Sequence, residues 1–335
     1  MQSPNSGGRG DGGPSPDDEF AVIERLRGRF GEAARAVQPS GPIPPEGDTW
    51  IGDDAAVVTL EAGLRAVWAT DLVVDGVHVD RRICRLDDIG YKALMVTVSD
   101  LAAMGAWPRY ALASVAAPRG TDIDLLGDGL AVAARETGCV VVGGDLSGSP
   151  ALVVSVAALG AVREGAGPAP LLRTGARQGD HLLVTGPLGA SAAGLRLLRA
   201  GRSGSDPDTA VPVAAYRRPR ARLLEGEVAR LSGASAAIDI SDGLAGDAEK
   251  LARASGVGIA LDRVPVAPGA TAEEALDGGE EYELLVATAD PDGVASAFVA
   301  AGLRRPEPVG RCTDPATGLT YRGSPLGPGG WRHRF

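Results

Sequence analysis

The chain has 335 residues, 44% hydrophobic and 23% charged. Those are ordinary globular values, and the length predicts about two domains. A formal net charge of −10 argues against a nucleic-acid binder, which presents a basic face. No run approaches the ~20 apolar residues that span a bilayer, so no membrane association is expected. Residues 1–17 are Gly, Ser, Pro and Asp with no apolar period. They lack the apolar stretch of a leader peptide and predict a disordered tail. Cys84, Cys139 and Cys312 lie far apart, which suits a reducing cytoplasm and excludes a disulfide framework or zinc knuckle.

From Glu19, Phe20, Ile23, Leu26 and Phe30 recur at helical spacing, with Asp17 or Asp18 as the cap. A Pro- and Gly-rich loop over 39–48 precedes two strand-like runs, 55–60 and 64–70. A helix is predicted from Asp87, broken near Ser99-Asp100 and resumed as LAAMGA. Then come a strand at 111–117, a helix at 124–138, and strands at 139–142 and 151–162. Residues 164–170 read as a connector. The second half predicts strands at 181–186, 236–241, 258–262 and 282–288. Its helices are expected at 190–201, 218–231 and 242–255, with a flexible loop over 202–212. Two αβ halves emerge, 18–163 and 164–335.

The placement of aspartates carries the chemical signal. Asp53-Asp54 precedes a predicted strand, Thr70-Asp71 ends one, and Ser99-Asp100 sits at the helix break. Gly143-Gly144-Asp145 and Asp239-Ile240-Ser241-Asp242-Gly243 follow apolar runs. Carboxylates flanked by Gly, Ser or Thr at element ends are exposed to a ligand. If gathered, they repel one another, and a hard oxygen-seeking cation such as Mg²⁺ supplies the counter-charge. A single acid after a strand is more often only a cap or turn residue. G-x-x-x-x-G-K-[ST], H-R-D, D-F-G and G-x-S-x-G are absent, and GAGPAP at 165–170 and GPLGAS at 186–191 fail the dinucleotide pattern G-x-G-x-x-G, which argues against the P-loop, protein-kinase, dinucleotide and serine-hydrolase readings.

Several ordered blocks resemble the thiamine-monophosphate kinase family. They are Asp53-Asp54-Ala55-Ala56, T-D-L-V-V-D-G-V-H at 70–78, Y-K-A-L-x-V-x-x-S-D-L-A-A-M-G-A at 91–106, and G-G-D at 143–145. L-L-V-T-G-x-x-G-x-S-A-A-G-L at 182–195, I-D-I-S-D-G-L at 238–244, G-G-E-E-Y-E-L at 278–284 and G-W-x-H at 330–333 complete the set. The wider superfamily is that of aminoimidazole ribonucleotide synthetase and selenophosphate synthetase.

The resemblance implies an α+β two-domain fold. Its N-terminal mixed sheet would form a barrel with that of a second copy in a homodimer, and its C-terminal half would be an α/β sandwich. It also implies ATP-dependent phosphorylation of thiamine monophosphate to thiamine diphosphate, with ATP as co-substrate and several Mg²⁺ ions. Carried over by motif, Asp54, Thr70, Asp71, Asp100, Asp145, Asp239 and Asp242 would hold the metal. Gly144, Asp145, Arg173 and Ser241 would contact ATP, and His78, Glu280 and Trp331 the thiamine substrate. No residue is assigned as a general base. Leu146 and Ser147 stand where the family usually has two threonines, and Glu281 replaces its usual aspartate. A selenophosphate synthetase or carbamoyl dehydratase is disfavoured, because no cysteine sits where those chemistries need a thiol nucleophile. A ligase resembling aminoimidazole ribonucleotide synthetase and a non-catalytic nucleotide-binding regulator remain the alternatives.

Overall fold

The computed structural model describes residues 19–51, 55–165, 167–327 and 329–331. Asp54, the predicted tail, its capping Asp17 and Asp18, and His333 lie outside them. The chain starts with helix α1 (Glu19–Val37) and continues as β1 (Leu64–Val74), α2 (Leu86–Ala103), β2 (Trp107–Ala117), α3 (Ile123–Thr137), β3 (Val140–Gly148) and β4 (Val153–Arg163). These strands form a four-stranded mixed sheet in the order β1-β4-β2-β3, with only β2 and β3 parallel.

Beyond the 164–170 connector come β5 (His181–Val184), α4 (Ala190–Arg199), α5 (Pro207–Arg217), α6 (Leu223–Leu231), β6 (Ala236–Asp239) and α7 (Leu244–Ser255). β7 (Gly258–Leu261), α8 (Ala272–Asp277), β8 (Leu284–Thr288), α9 (Pro291–Ala300), β9 (Glu307–Thr313), β10 (Leu319–Tyr321) and β11 (Ser324–Pro325) follow. The second sheet has seven strands in the order β11-β10-β7-β9-β5-β8-β6.

Alternation along these strands sets the layers, because successive side chains point to opposite faces. Leu182, Val184, Ile238, Leu285 and Ala287 join one core with Leu244, Ala248 and Leu251 of α7. Leu183, Ala237, Leu284 and Val286 join another with Ala229 of α6 and Val294 and Phe298 of α9. The C-terminal part is therefore a three-layer α/β/α sandwich, as expected. In the four-stranded sheet one face is covered by α2 and α3, which pack with Val67, Val73, Ala113, Val115 and Val156. The other is covered only near the start of β3, where Val140 and Tyr110 pack with Trp50, Ile43 and Val58. Elsewhere on that face Trp68 is 67% exposed and Leu72 53% exposed.

Helix α2 is buried almost throughout, including Asp88, Lys92, Thr97 and Ser99. A helix enclosed on all sides packs closely only where small residues face its neighbours. A Cβ on Gly90 of α2 would strike the carbonyl of Leu126 on α3, and one on Gly129 of α3 would strike the carbonyl of Asp87. Gly226 of α6 meets the carbonyl of Ala102 in the same way.

The structure revises several local expectations. Residues 55–60 form no strand beyond a single bridge between Val57 and Thr49. α2 runs unbroken through Ser99 and Asp100, since Leu101 and Ala102 continue its buried surface. β1 and β3 extend past Asp71 and Asp145, so both lie within strands; Leu72, Val73 and Val74 keep β1 going. The predicted loop at 202–212 contains the start of α5, where Pro207 occupies the first turn. The helix expected at 218–231 begins only at Leu223, and the strand expected at 282–288 only at Leu284. Helices α8 and α9 and strands β9 to β11 carry too little apolar period to stand out in the sequence.

Gly129→Ala is expected to lower stability by roughly 2 kcal/mol or more, because the methyl group meets backbone that cannot yield. Urea unfolding checks this against Gly28→Ala in α1, a helical glycine with open space where a Cβ would sit, so its variant reports the glycine-to-alanine change in a helix without the collision.

Candidate active site

A cavity of about 1290 Å³ is lined by Asp71 and His78 from β1 and the turn after it and by Asp100 from the last turn of α2. Asp239, Ser241 and Asp242 from the end of β6, Glu280 from the α8–β8 loop and Trp331 line it too. Both sheets and the helix between them thus contribute. The β6 end and the α8–β8 loop are stitched together by backbone bonds. Glu280 N–H donates to Ser241 O at 2.7 Å, Tyr282 N–H to Ile240 O at 2.9 Å, and Ile240 N–H to Glu283 O at 2.7 Å. Trp331 N–H donates to Asp242 O at 2.9 Å, which ties the terminal segment to the same turn.

The acids feel one another. Burial, then the charge of Asp239, pushes Asp71 up to about 6. Burial likewise raises the Asp100–Asp239 pair, followed by repulsion from Asp71 at Asp100 and from Asp100 at Asp239. Partial relief comes from Ser99 Oγ, which donates to Asp239 at 2.8 Å, and from the Arg173 charge acting on both members of the pair. His78 is held by Nδ1, which accepts Val74 N–H at 3.1 Å. In the neutral ring the proton therefore resides on Nε2.

Two residues that support the site escaped the sequence reading. Asp247 accepts the N–H groups of Ser241 and Asp242, each at 2.9 Å, and so shapes the turn that presents them. Lys250 pairs with Asp242 and, at 2.7 Å, with Asp247. The signal available was an acid five residues after Asp242 with a lysine three residues further on. That is one face of a helix starting at the turn.

Other expected site residues do not face this cavity. Leu72, Ser155, Ser114 and Asp145 lie in one row across the four-stranded sheet. At 4.7–4.9 Å per strand, Asp145 is about 14 Å from β1. Thr70, two residues from Leu72, lies on that same open face, and both Thr70 and Asp145 are exposed. Gly144 neighbours Asp145 in β3, and a Cβ there would strike the carbonyl of Ala113. Within one copy, Asp71, Asp100, Asp239 and Asp242 gather while Thr70 and Asp145 stand apart. The pleat decides this, because Thr70 and Asp71 are adjacent and point oppositely.

Among the described residues no three His, Cys, Asp or Glu side chains approach closely enough to hold one ion. The donor set still fits Mg²⁺. That ion takes one or two carboxylates, keeps several waters and completes its shell with substrate phosphates, without an all-protein cage. Buried carboxylates with raised proton affinity and only partial counter-charge supply the need for a cation.

The chain matches the AIR synthase related protein family, its N-terminal domain over residues 52–162 and its C-terminal domain over 177–321. It is 36% identical over 332 residues to the thiamine-monophosphate kinase of Mycobacterium tuberculosis, covering 94% of this chain and 91% of that one. The crystal structure of thiamine-monophosphate kinase from Stenotrophomonas maltophilia is similar with TM-score 0.77 and 31% identity, over 91% of this chain and 97% of that one. AaThiL complexed with AMPPCP and TMP is similar with TM-score 0.73 and 30% identity, over 94% and 97%. No helix among the described residues is long and apolar enough to cross a membrane. By its matched domains and its identity to these relatives, the chain belongs to the thiamine-monophosphate kinase family.

Proposed function

We propose that this protein transfers the γ-phosphoryl group of ATP directly to the phosphate of thiamine monophosphate, giving thiamine diphosphate and ADP. The observation that carries this reading is the meeting of Asp71, Asp100 and Asp239 in one cavity with His78, Glu280 and Trp331. A relative similar over nearly the whole chain has been captured with AMPPCP and TMP.

The acceptor needs no general base. A phosphate monoester has its second pKa at ~6 and is mostly a dianion at neutral pH. The obstacle is the approach of two anions, about 4 kcal/mol per unit pair at 4 Å in an effective dielectric of 20. Bound Mg²⁺ would supply charge neutralisation and in-line alignment of donor and acceptor. Asp71, Asp100 and Asp239, with Asp242 once it exchanges Lys250 for the metal, are the groups we assign to hold it. Ser241, beside Asp242, and Arg173, whose charge reaches Asp100 and Asp239, suit polyphosphate contact. Glu280 and the Trp331 ring suit the cationic thiazolium, where cation–π attraction contributes ~0.5–2 kcal/mol.

Thr70 and Asp145 lie on the open sheet face beside Trp68, Leu72 and the 41% exposed Leu112, with Gly144 next to Asp145 in β3. Contiguous exposed apolar surface of this kind marks an interface. We assign it to a second copy of the chain, which would bring these three residues to the seam between two protomers and complete the ATP site there.

Incubation of the purified protein with ATP, Mg²⁺ and thiamine monophosphate is expected to release ADP and thiamine diphosphate in equal amounts, with free thiamine inert. Nucleotide binding without ADP release would leave only a regulator. A radiolabelled protein band chased into product would replace direct transfer with a phosphoenzyme.

Asp71→Asn is expected to lower kcat by about 10²-fold or more. It should also raise the stability of metal-free protein at pH 7 by about 1–3 kcal/mol, since a carboxyl held near pKa 6 ionises at a penalty. The sign follows from proton linkage. The native carboxyl retains its proton from about pH 4 to pH 6 while the unfolded chain has released it, so stability falls as pH rises through that window. Thermal unfolding in EDTA should show this fall, and added Mg²⁺ should raise Tm more at pH 8 than at pH 5.

Trp68→Arg is expected to shift the protein from dimer to monomer in sedimentation and to abolish turnover. An active monomer would remove the shared site.

A further inference from the structure

Lys92 of α2 is only 1% exposed and is the single charge in the otherwise apolar stretch 89–98. Its ammonium lies 2.8 Å from Glu280 Oε1 and donates to Tyr216 O at 3.1 Å. It also sits over the Tyr216 ring, 4.2 Å from the centroid. Glu280 and Tyr216 line the cavity; Lys92 is behind them. Three elements from distant parts of the chain meet at this one cation: α2, the end of α5 and the loop before β8.

Glu280 has a left-handed backbone, φ 63°, which a non-glycine residue keeps only where its surroundings hold it. Its N–H bond to Ser241 O holds the backbone from one side, and the Lys92 pair holds the side chain from the other. With Oε1 engaged by Lys92, Oε2 is the oxygen available to a ligand in the cavity. An unpaired glutamate would have to be ordered on each binding event, whereas this one is ordered beforehand.

We infer that Lys92 is a positioning residue for substrate recognition, acting through Glu280 by fixing its carboxylate so that the second oxygen meets the cationic heteroaromatic part of the substrate. The inference rests on the reading of this cavity as the thiamine monophosphate site. Tyr216 shares the work by shielding the ammonium from water on its π face, which confines its strongest charge pairing to Glu280.

A double-mutant cycle on the purified protein tests it. Glu280→Gln is expected to raise KM for thiamine monophosphate about tenfold while KM for ATP stays within about twofold. Lys92→Met should give the same split with kcat within about threefold, and in the Glu280→Gln background it should add less than about twofold. Lys92→Gln, which keeps a hydrogen bond to Tyr216 O without the charge, should behave like Lys92→Met. Equal losses in kcat and both KM values, additive effects in the double variant, or failure of both lysine variants to fold while Glu280→Gln folds would each overturn the inference. They would make Lys92 a fixture of the core alone. A Glu280→Gln effect with none from Lys92 sinks only this inference; no effect from Glu280→Gln sinks the substrate-site reading beneath it.

Discussion

Carboxylates that repel one another must be carried into one cavity, and the architecture is arranged to hold them there. Asp71 arrives on one sheet, Asp239 on the other, and Asp100 on the helix packed between them. Among the described residues none of the three forms an ion pair with a lysine or arginine, and burial raises the proton affinity of each. Folding therefore spends apolar burial to sustain an arrangement unfavourable without a cation. The close packing of α2 against α3 and α6 through Gly90, Gly129 and Gly226 supplies the rigidity. This is the usual conflict between a stable fold and a functional site.

The segment 280–283 shows how nearby acids are kept from adding to that burden. Glu280 is matched by Lys92 at 2.8 Å. Glu281 accepts the N–H groups of Ala190 at 3.2 Å and Ser191 at 3.0 Å, at the N-terminus of α4. A helix N-terminus stabilises an anion there, although burial still pushes this carboxyl up to about 8. Glu283 meets Arg222 and the Thr185 hydroxyl, each at 2.5 Å. The neighbouring carboxylates thus go to different partners, and each partner belongs to a different element. A short acidic stretch becomes a knot joining α2, α4 and the segment before α6.

The two faces of the four-stranded sheet separate two tasks. The covered face delivers Asp71 to the cavity, and the open face presents Thr70 and Asp145 among exposed apolar side chains. Neighbouring residues in the T-D pair thereby serve different surfaces. A reading by sequence proximity places them together; the pleat puts them apart.

The sequence by itself determined the two αβ halves, the family blocks and the identity of the acids, because apolar periodicity and glycine-flanked aspartates are local features. It also held the pieces needed to find Lys92, a lone charge in an apolar helix, and Asp247 with Lys250, one helical face apart. Whether these are partners of the site is not a local property. Only the tertiary structure decided that Glu280 lies beside Ser241, through backbone bonds across nearly forty residues of chain, and that Asp145 stands away from Asp71. Strand ends and the continuity of α2 were likewise settled by packing. Leu72 to Val74 extend a strand already paired to β4, and Leu101 and Ala102 continue a buried helix. Side-chain direction and charge pairing depend on what packs opposite, and no window of sequence contains its own partner.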